Sequence, residues 1–225
     1  MKLARRAVSP PFSARPPAGA VIYAIGDIHG CADLCRGLHQ AIAQDAEKRA
    51  STRKVVVYLG DYSGRGPDTR GVIDALMARP LRGFEAIFLK GNNEDLLLRM
   101  LDGDAEAGGH WLTYGGRDTL ASYGIPAPQA SCMLGQEFEE FRRNVGRLLP
   151  VAHLEFLRSL PVCHREGDYF FVHAGIRPGA RLEDQTSRDM MWIRKRFLES
   201  DADFGVVVVH GHSVSDEPVV RRNRI

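Results

Sequence analysis

The sequence predicts an α/β protein, a parallel or mixed β-sheet covered by helices. Three observations carry that reading. Five runs of β-branched and aromatic residues are too short for buried helices. Between the first three runs lie segments whose apolar residues repeat at helical spacing. Each run also passes directly into a cluster of glycine and polar residues, and the carboxyl ends of strands are where open α/β sheets carry their ligands.

Taken in order, residues 1–19 are basic and free of acids; they lack the continuous apolar segment of a secretory signal, and their prolines disfavour the amphipathic helix of a transit peptide. They are expected to form a disordered tail ahead of one domain over residues 20–225. The first strand, Val21–Ile25, is followed by Gly26-Asp27-Ile28-His29-Gly30. Leu34, Leu38, Ala41 and Ile42 then share one helical face. The second strand, Val55–Leu59, runs into Gly60-Asp61, and Val72, Ile73, Leu76 and Met77 mark the next helix. The third, Ala86–Leu89, runs into Gly91-Asn92-Asn93-Glu94 and a helix with Leu96, Leu97, Leu98 and Leu101. Glycines 103, 108, 109, 115 and 116 surround Trp111 and Tyr114, a stretch expected to cap the site and shape access to it. Phe138, Phe141, Val145 and Leu149 form a core stripe, continued by Leu154 and Leu157. The fourth strand, Tyr169–Val172, meets His173-Ala174-Gly175; the fifth, Val206–Val209, meets His210-Gly211-His212.

Composition removes several classes of function. With 225 residues, 44% hydrophobic and 26% charged, the chain has ordinary globular composition. No apolar run approaches the roughly 18 residues of a membrane span. A net charge of +2 gives no field for nucleic acid. Cys31, Cys35, Cys132 and Cys163 are too few for a disulfide scaffold and read as reduced thiols in a cytoplasmic protein.

The polar clusters combine carboxylate, amide and imidazole without thiolate, a donor set suited to Mn, Fe or Zn. So many donors exceed one tetrahedral ion. They suit two divalent ions sharing a carboxylate, with Asp61, on the next strand after Asp27 and His29, as the natural bridge. Asp27 and His29, two residues apart, reach one ion only from a turn.

These motifs resemble those of the calcineurin-like metallophosphoesterases, specifically the serine/threonine protein phosphatase branch and its small bacterial members. The family's GDxHG, GDxxDRG, GNHE, HAG and GH patterns correspond to Gly26–Gly30, Gly60–Gly66, Gly91–Glu94, His173–Gly175 and Gly211-His212. The resemblance implies a four-layer α/β/β/α sandwich of two mixed β-sheets. It implies that Asp27 and His29 hold one metal, that Asp61 bridges, and that Asn92, His173 and His212 hold the other, with Mn²⁺ first among the candidates. Arg65 and Arg194 would clamp phosphate, Arg194 being placed by Trp192-Ile193-Arg194. Activated water would attack phosphorus in line without a phosphoenzyme. His210 matches no ligand and reads as structural.

Two departures bear on activity. The family's GNHE histidine is Asn93, and its DRG aspartate is Gly64. Asparagine cannot act as an acid, and loss of a general acid costs roughly 10²–10⁴-fold. Gly64 beside Gly66 is further expected to loosen the loop that aims Arg65. The first expectation is therefore a slow phosphatase acting on phosphoproteins or aryl phosphates. The second is a dinucleoside polyphosphate hydrolase, whose leaving group needs little acid help. The third is an inactive protein that binds metal and phosphate. The family's sheets usually continue past this point; here Ile225 comes thirteen residues after His212, so the last strands are expected to be missing, with Val219-Val220 beginning one that lacks a partner.

Overall fold

Alternation along one strand decides the layering. In the computed structural model, which describes residues 14–128 and 135–225, strand β2 (Arg53–Tyr58) buries Val55 and Val57 on one face and Val56 and Tyr58 on the other. Strands β1 (Ala20–Ile25) and β3 (Glu85–Phe88) flank it, both parallel to it. A second sheet has the order β4 (Cys163–Glu166), β5 (Tyr169–Val172), β6 (Val207–Val209). Its first pair is antiparallel and its second parallel.

Val55, Val57, Leu59 and Leu89 pack against Phe171 and Val209, which joins the two sheets face to face. The opposite face of the first sheet carries helices α1 (Ala32–Glu47), α2 (Thr69–Met77), α3 (Asn92–Leu101), α4 (Ala105–Trp111), α5 (Arg117–Ser122), α6 (Gly135–Leu148) and α7 (Val151–Ser159). The outer face of the second sheet, with Phe170, Val172 and Val208, packs on Met190 of α8 (Ser187–Trp192) and Phe197 of α9 (Lys195–Leu198). The result is the expected α/β/β/α sandwich.

Several details differ from the expectation. The first sheet is wholly parallel; only the second is mixed. Strand β4 was hidden in the sequence because Cys-His-Arg-Glu is polar and pairs at an edge. Its signal is the two-residue Gly167-Asp168 turn, with Gly167 at φ +60° in the first central position of a hairpin. Glu166 at its end shares Arg53 with Glu85, tying the two sheets together (2.7 and 2.6 Å). Helix α1 buries Ala32, Cys35, His39, Ile42 and Ala46, while Leu34 is exposed. The stripe is rotated because His39 is satisfied inside, where its Nε2 lies 2.9 Å from the Tyr58 hydroxyl. Val219 is also exposed. The residues that run along β6 are Asn223–Ile225, bonded through Val208 N–H to Asn223 O (3.0 Å) and Ile225 N–H to Val208 O (2.9 Å).

Cys31, Cys35 and Cys163 are free thiols, and Cys132 lies outside the described residues. So do residues 1–13 of the expected tail. Arg15 is tied to the β4–β5 turn, its N–H donating to Asp168 Oδ2 at 3.0 Å. Among the described residues no helix is long and apolar enough to cross a membrane.

Candidate metal centre

All the candidate ligands sit just past the carboxyl ends of β1, β2, β3, β5 and β6, and a buried carboxylate shapes their loops. Glu94, in the first turn of α3, is fully buried. Its oxygens accept the backbone N–H groups of Gly91 (3.1 Å), Asp61 (2.8 Å), Tyr62 (3.0 Å) and Ser63 (3.2 Å), and the Ser63 hydroxyl (2.8 Å). Burial, and then the charge of Asp61, raise its pKa. The loop so folded brings Asp61 O to accept from Ile28 and His29 (3.0 and 2.9 Å), which fastens the first loop to the second. Across the sheets, Asp27 Oδ1 accepts the His212 N–H at 2.9 Å and His173 O accepts the Gly211 N–H at 2.8 Å. The loops approach so closely that a side chain at Gly91 would collide with the Asp61 carboxylate.

The backbone is strained at this point and almost nowhere else. His29 (φ +44°), Asp61 (+52°), Arg65 (+60°) and His212 (+62°) are four of the five non-glycine residues with positive φ among the described residues. Each such conformation costs on the order of 1–3 kcal/mol and persists only where its surroundings enforce it.

Two clusters result, and they share one residue. Ligand atoms of Asp27, His29 and Asp61 lie within 4.8 Å of one another, as do those of Asp61, His173 and His212. In the first, His29 Nδ1 lies 2.9 Å from Ser63 O; a carbonyl only accepts, so Nδ1 carries the proton. That leaves the Nε2 lone pair facing Asp27 Oδ2 and Asp61 Oδ2, each 3.7 Å away. In the second, His173 Nδ1 lies 2.8 Å from Leu59 O and is protonated by the same argument. Its Nε2 lone pair then faces Asn92 Oδ1 at 2.9 Å, His212 Nδ1 at 3.0 Å and Asp61 Oδ1 at 3.5 Å. Burial, followed by the charges of His173 and Arg194, pushes His212 down to about 3, so its ring is neutral at pH 7. Its Nε2 is buried without a partner. The ligand atoms of each cluster converge on a volume the size of one ion. The donor set fits two ions with Asp61 between them.

Every predicted site residue except the fully buried His173 lines a single cleft of about 180 Å³, together with Tyr114 and Trp192. Arg65 and Arg194 are exposed at its edge. The loop that aims Arg65 is not loose: Gly66 N–H donates to Gly64 O at 2.7 Å, and with Arg65 at φ +60° this is a tight, strained γ-turn. Arg194 Nη1 donates to His212 O at 3.4 Å. Asn93 donates through Nδ2 to Asp61 Oδ2 (2.7 Å) and through N–H to Asp61 Oδ1 (3.0 Å). Its Oδ1 is buried and unpartnered. A Cβ added at Gly64 would lie 3.4 Å from that oxygen. His210 stands outside both clusters, its ring edge-on to Phe197 at 5.0 Å.

Sequence reasoning gave Glu94 no role. Its signal was a glutamate three residues after the glycine that opens a helix, the position from which a carboxylate reaches back to the cap. In the glycine-aromatic stretch, Trp111 is core. Gly115, at φ +119°, lies against Gly64 and Arg65 so closely that a Cβ would be 2.6 Å from the Arg65 nitrogen.

Comparison with known proteins agrees with this geometry. The family model described as calcineurin-like phosphoesterase matches residues 20–224. The symmetrical bis(5'-nucleosyl)-tetraphosphatase of Dechloromonas aromatica (strain RCB) is 30% identical over 156 residues, 69% of this chain and 44% of that one. The enzyme of the same name from Methylococcus capsulatus (strain ATCC 33009 / NCIMB 11132 / Bath) is 30% identical over 169 residues, 74% of this chain and 47% of its own. The chain thus spans about half the length of the curated relatives it matches. Among solved structures, a candidate diadenosine tetraphosphatase superposes with TM-score 0.55 at 18% identity, covering 88% of this chain and 77% of that one. A cold-active protein tyrosine phosphatase superposes with TM-score 0.51 at 16% identity, covering 90% and 68%. At these identities the two structures share the fold. The strand-end ligand clusters and the match over residues 20–224 lead to one conclusion: the chain belongs to the calcineurin-like phosphoesterase family.

Proposed function

We propose that the protein hydrolyses dinucleoside polyphosphates, cleaving a phosphoanhydride with the help of two divalent cations, Mn²⁺ first among them. The observation that carries this reading is Asn93. It sits beside the bridging carboxylate where the family motif has histidine, and its backbone N–H and its Nδ2 both donate to Asp61. Among the described residues the imidazoles that line the cleft are those of His29 and His212, which face the ion clusters and not a leaving alcohol in need of a proton. A departing nucleotide phosphate, with a second ionisation near ~6, leaves without that help. A tyrosine phenol, near ~10, is harder, and a serine alkoxide is harder still. The relatives' names point the same way, and away from the phosphoprotein substrates first expected.

The residues divide the work. Asp27, His29 and Asp61 would hold one ion, and Asp61, Asn92, His173 and His212 the other. Such ions lower the pKa of a shared water and neutralise phosphoryl oxygens. Arg65 and Arg194, across the cleft opening, would clamp the phosphate with forked donors that lysine lacks. Asn93 would fix the Asp61 carboxylate between the clusters. Free thiols at Cys31, Cys35 and Cys163 are in keeping with a cytoplasmic location.

The test is product analysis. With Mn²⁺ present, diadenosine tetraphosphate is expected to turn over at least ~10²-fold faster than a phosphoserine peptide, with para-nitrophenyl phosphate between them. Equal, fast rates on the peptide would remove the proposal. Mn²⁺ binding without turnover of any ester would make this a binding protein.

A further inference from the structure

A second cavity, of about 480 Å³, adjoins the metal cleft. Its size falls within the roughly 300–1,000 Å³ of small-molecule sites. It lies among α3, α4 and α8 and meets the cleft at Trp192, which lines both. The boundary is aromatic. Tyr114 lines the cleft and is 50% exposed, unusual for so large a ring. Its ring lies edge-on, at 6.4 Å, to His110, which lines the second cavity. Within that cavity Arg188 is exposed and, like Arg65 and Arg194, pairs with no carboxylate among the described residues. Glu106 offers a carboxylate on the same wall.

A cleft of 180 Å³ accommodates the reacting phosphate, and a simple phosphate ester would leave these neighbouring groups unused. An aromatic base, a hydroxylated sugar and a further phosphate would use all of them: a ring to stack on, a carboxylate for hydroxyl donors and a guanidinium for charge. We infer that the second cavity, together with the aromatic boundary it shares with the cleft, is the subsite for the leaving nucleoside phosphate, with Tyr114 on the cleft side of that boundary as the stacking platform, Arg188 as the phosphate contact and Glu106 as the ribose acceptor. The inference rests on the dinucleoside polyphosphate reading and assigns it a specificity site outside the metal ligands.

The experiment is calorimetric titration of the whole protein, with Mn²⁺, using ADP and inorganic pyrophosphate as probes. Base–aromatic stacking predicts that Tyr114→Ala weakens ADP by about tenfold and pyrophosphate by less than about twofold, while Tyr114→Phe retains ADP affinity. Arg188→Glu is expected to weaken ADP as well. ADP affinity unmoved by Tyr114→Ala and Arg188→Glu, or equal losses for both probes, would overturn the subsite. Hydrolysis of diadenosine tetraphosphate, measured alongside, separates the two claims. Tyr114-dependent ADP binding without dinucleotide turnover keeps the subsite and removes the substrate assignment. Turnover with Tyr114-independent ADP binding does the reverse.

Discussion

Asn93 donates to Asp61 from its backbone N–H and its Nδ2 and leaves a carbonyl oxygen unpartnered, which steadies a carboxylate and supplies no proton. Restoring an imidazole by Asn93→His is expected to raise kcat by ~10² or more on alkyl and phenyl phosphates, and by little on dinucleoside polyphosphates. Steady-state rates across esters of graded leaving-group pKa check this; a uniform gain would sink it. The single change is the cleaner one, since Gly64 sits at φ +88° and an aspartate there costs roughly 1–2 kcal/mol. Glu94 carries more of the architecture than any ligand. Glu94→Gln turns an amide NH₂ toward N–H groups, so a stability loss of about 1–3 kcal/mol is expected, as for buried donors left unsatisfied, with Mn²⁺ affinity down roughly 10–100-fold. Urea titration and Mn²⁺ titration read the two effects separately. His39 sets a pH dependence. Burial lowers its pKa, so below the ordinary histidine value the unfolded chain takes up a proton that the folded chain refuses. The His39 share of stability therefore falls as pH drops below about 6.5, by up to about 1.4 kcal/mol per unit, and His39→Asn should remove that share from the slope of urea midpoints taken at pH 7 and 5.5, leaving the share of His212.

At the scale of elements, the five main strands were legible because each is a buried run of one chemistry, and their polar ends announced the site. Most of the side chains that line the cleft could be named as candidates, since a glycine beside an Asp, Asn or His at a strand end is a local signal. What stayed hidden depends on partners distant in sequence. Strand β4 exists through its pairing with β5, and the face of α1 is set by what Tyr58 offers His39. Glu94 owes its role to four loop amides, three of them more than thirty residues away. The aim of Arg65 likewise depends on the turn Leu112–Gly116, whose Gly115 presses on the γ-turn. Gly115→Ala should push that turn away; the expected result is phosphate affinity lowered about tenfold with Mn²⁺ binding retained, because strain would enter the arginine loop and spare the ligands. Equal losses of phosphate and Mn²⁺ in competition titrations would show that the two loops are not separable.

For the whole molecule, the layer between the sheets decides stability. Phe171, 2% exposed, fills it from the second sheet, and Phe171→Ala is expected to cost about 3–5 kcal/mol in urea unfolding. The same layer separates the two halves of the ligand set. Asp27, His29, Asp61 and Asn92 follow strands of the first sheet, while His173 and His212 follow strands of the second. An ion held by both halves is a rivet across the sandwich, and one that unfolding must draw. Free metal then becomes a thermodynamic variable of the fold. Ions at a hundred times their dissociation constant would add about 2.7 kcal/mol per site, and a chelator would withdraw it, so the melting midpoint should climb with the logarithm of Mn²⁺ concentration.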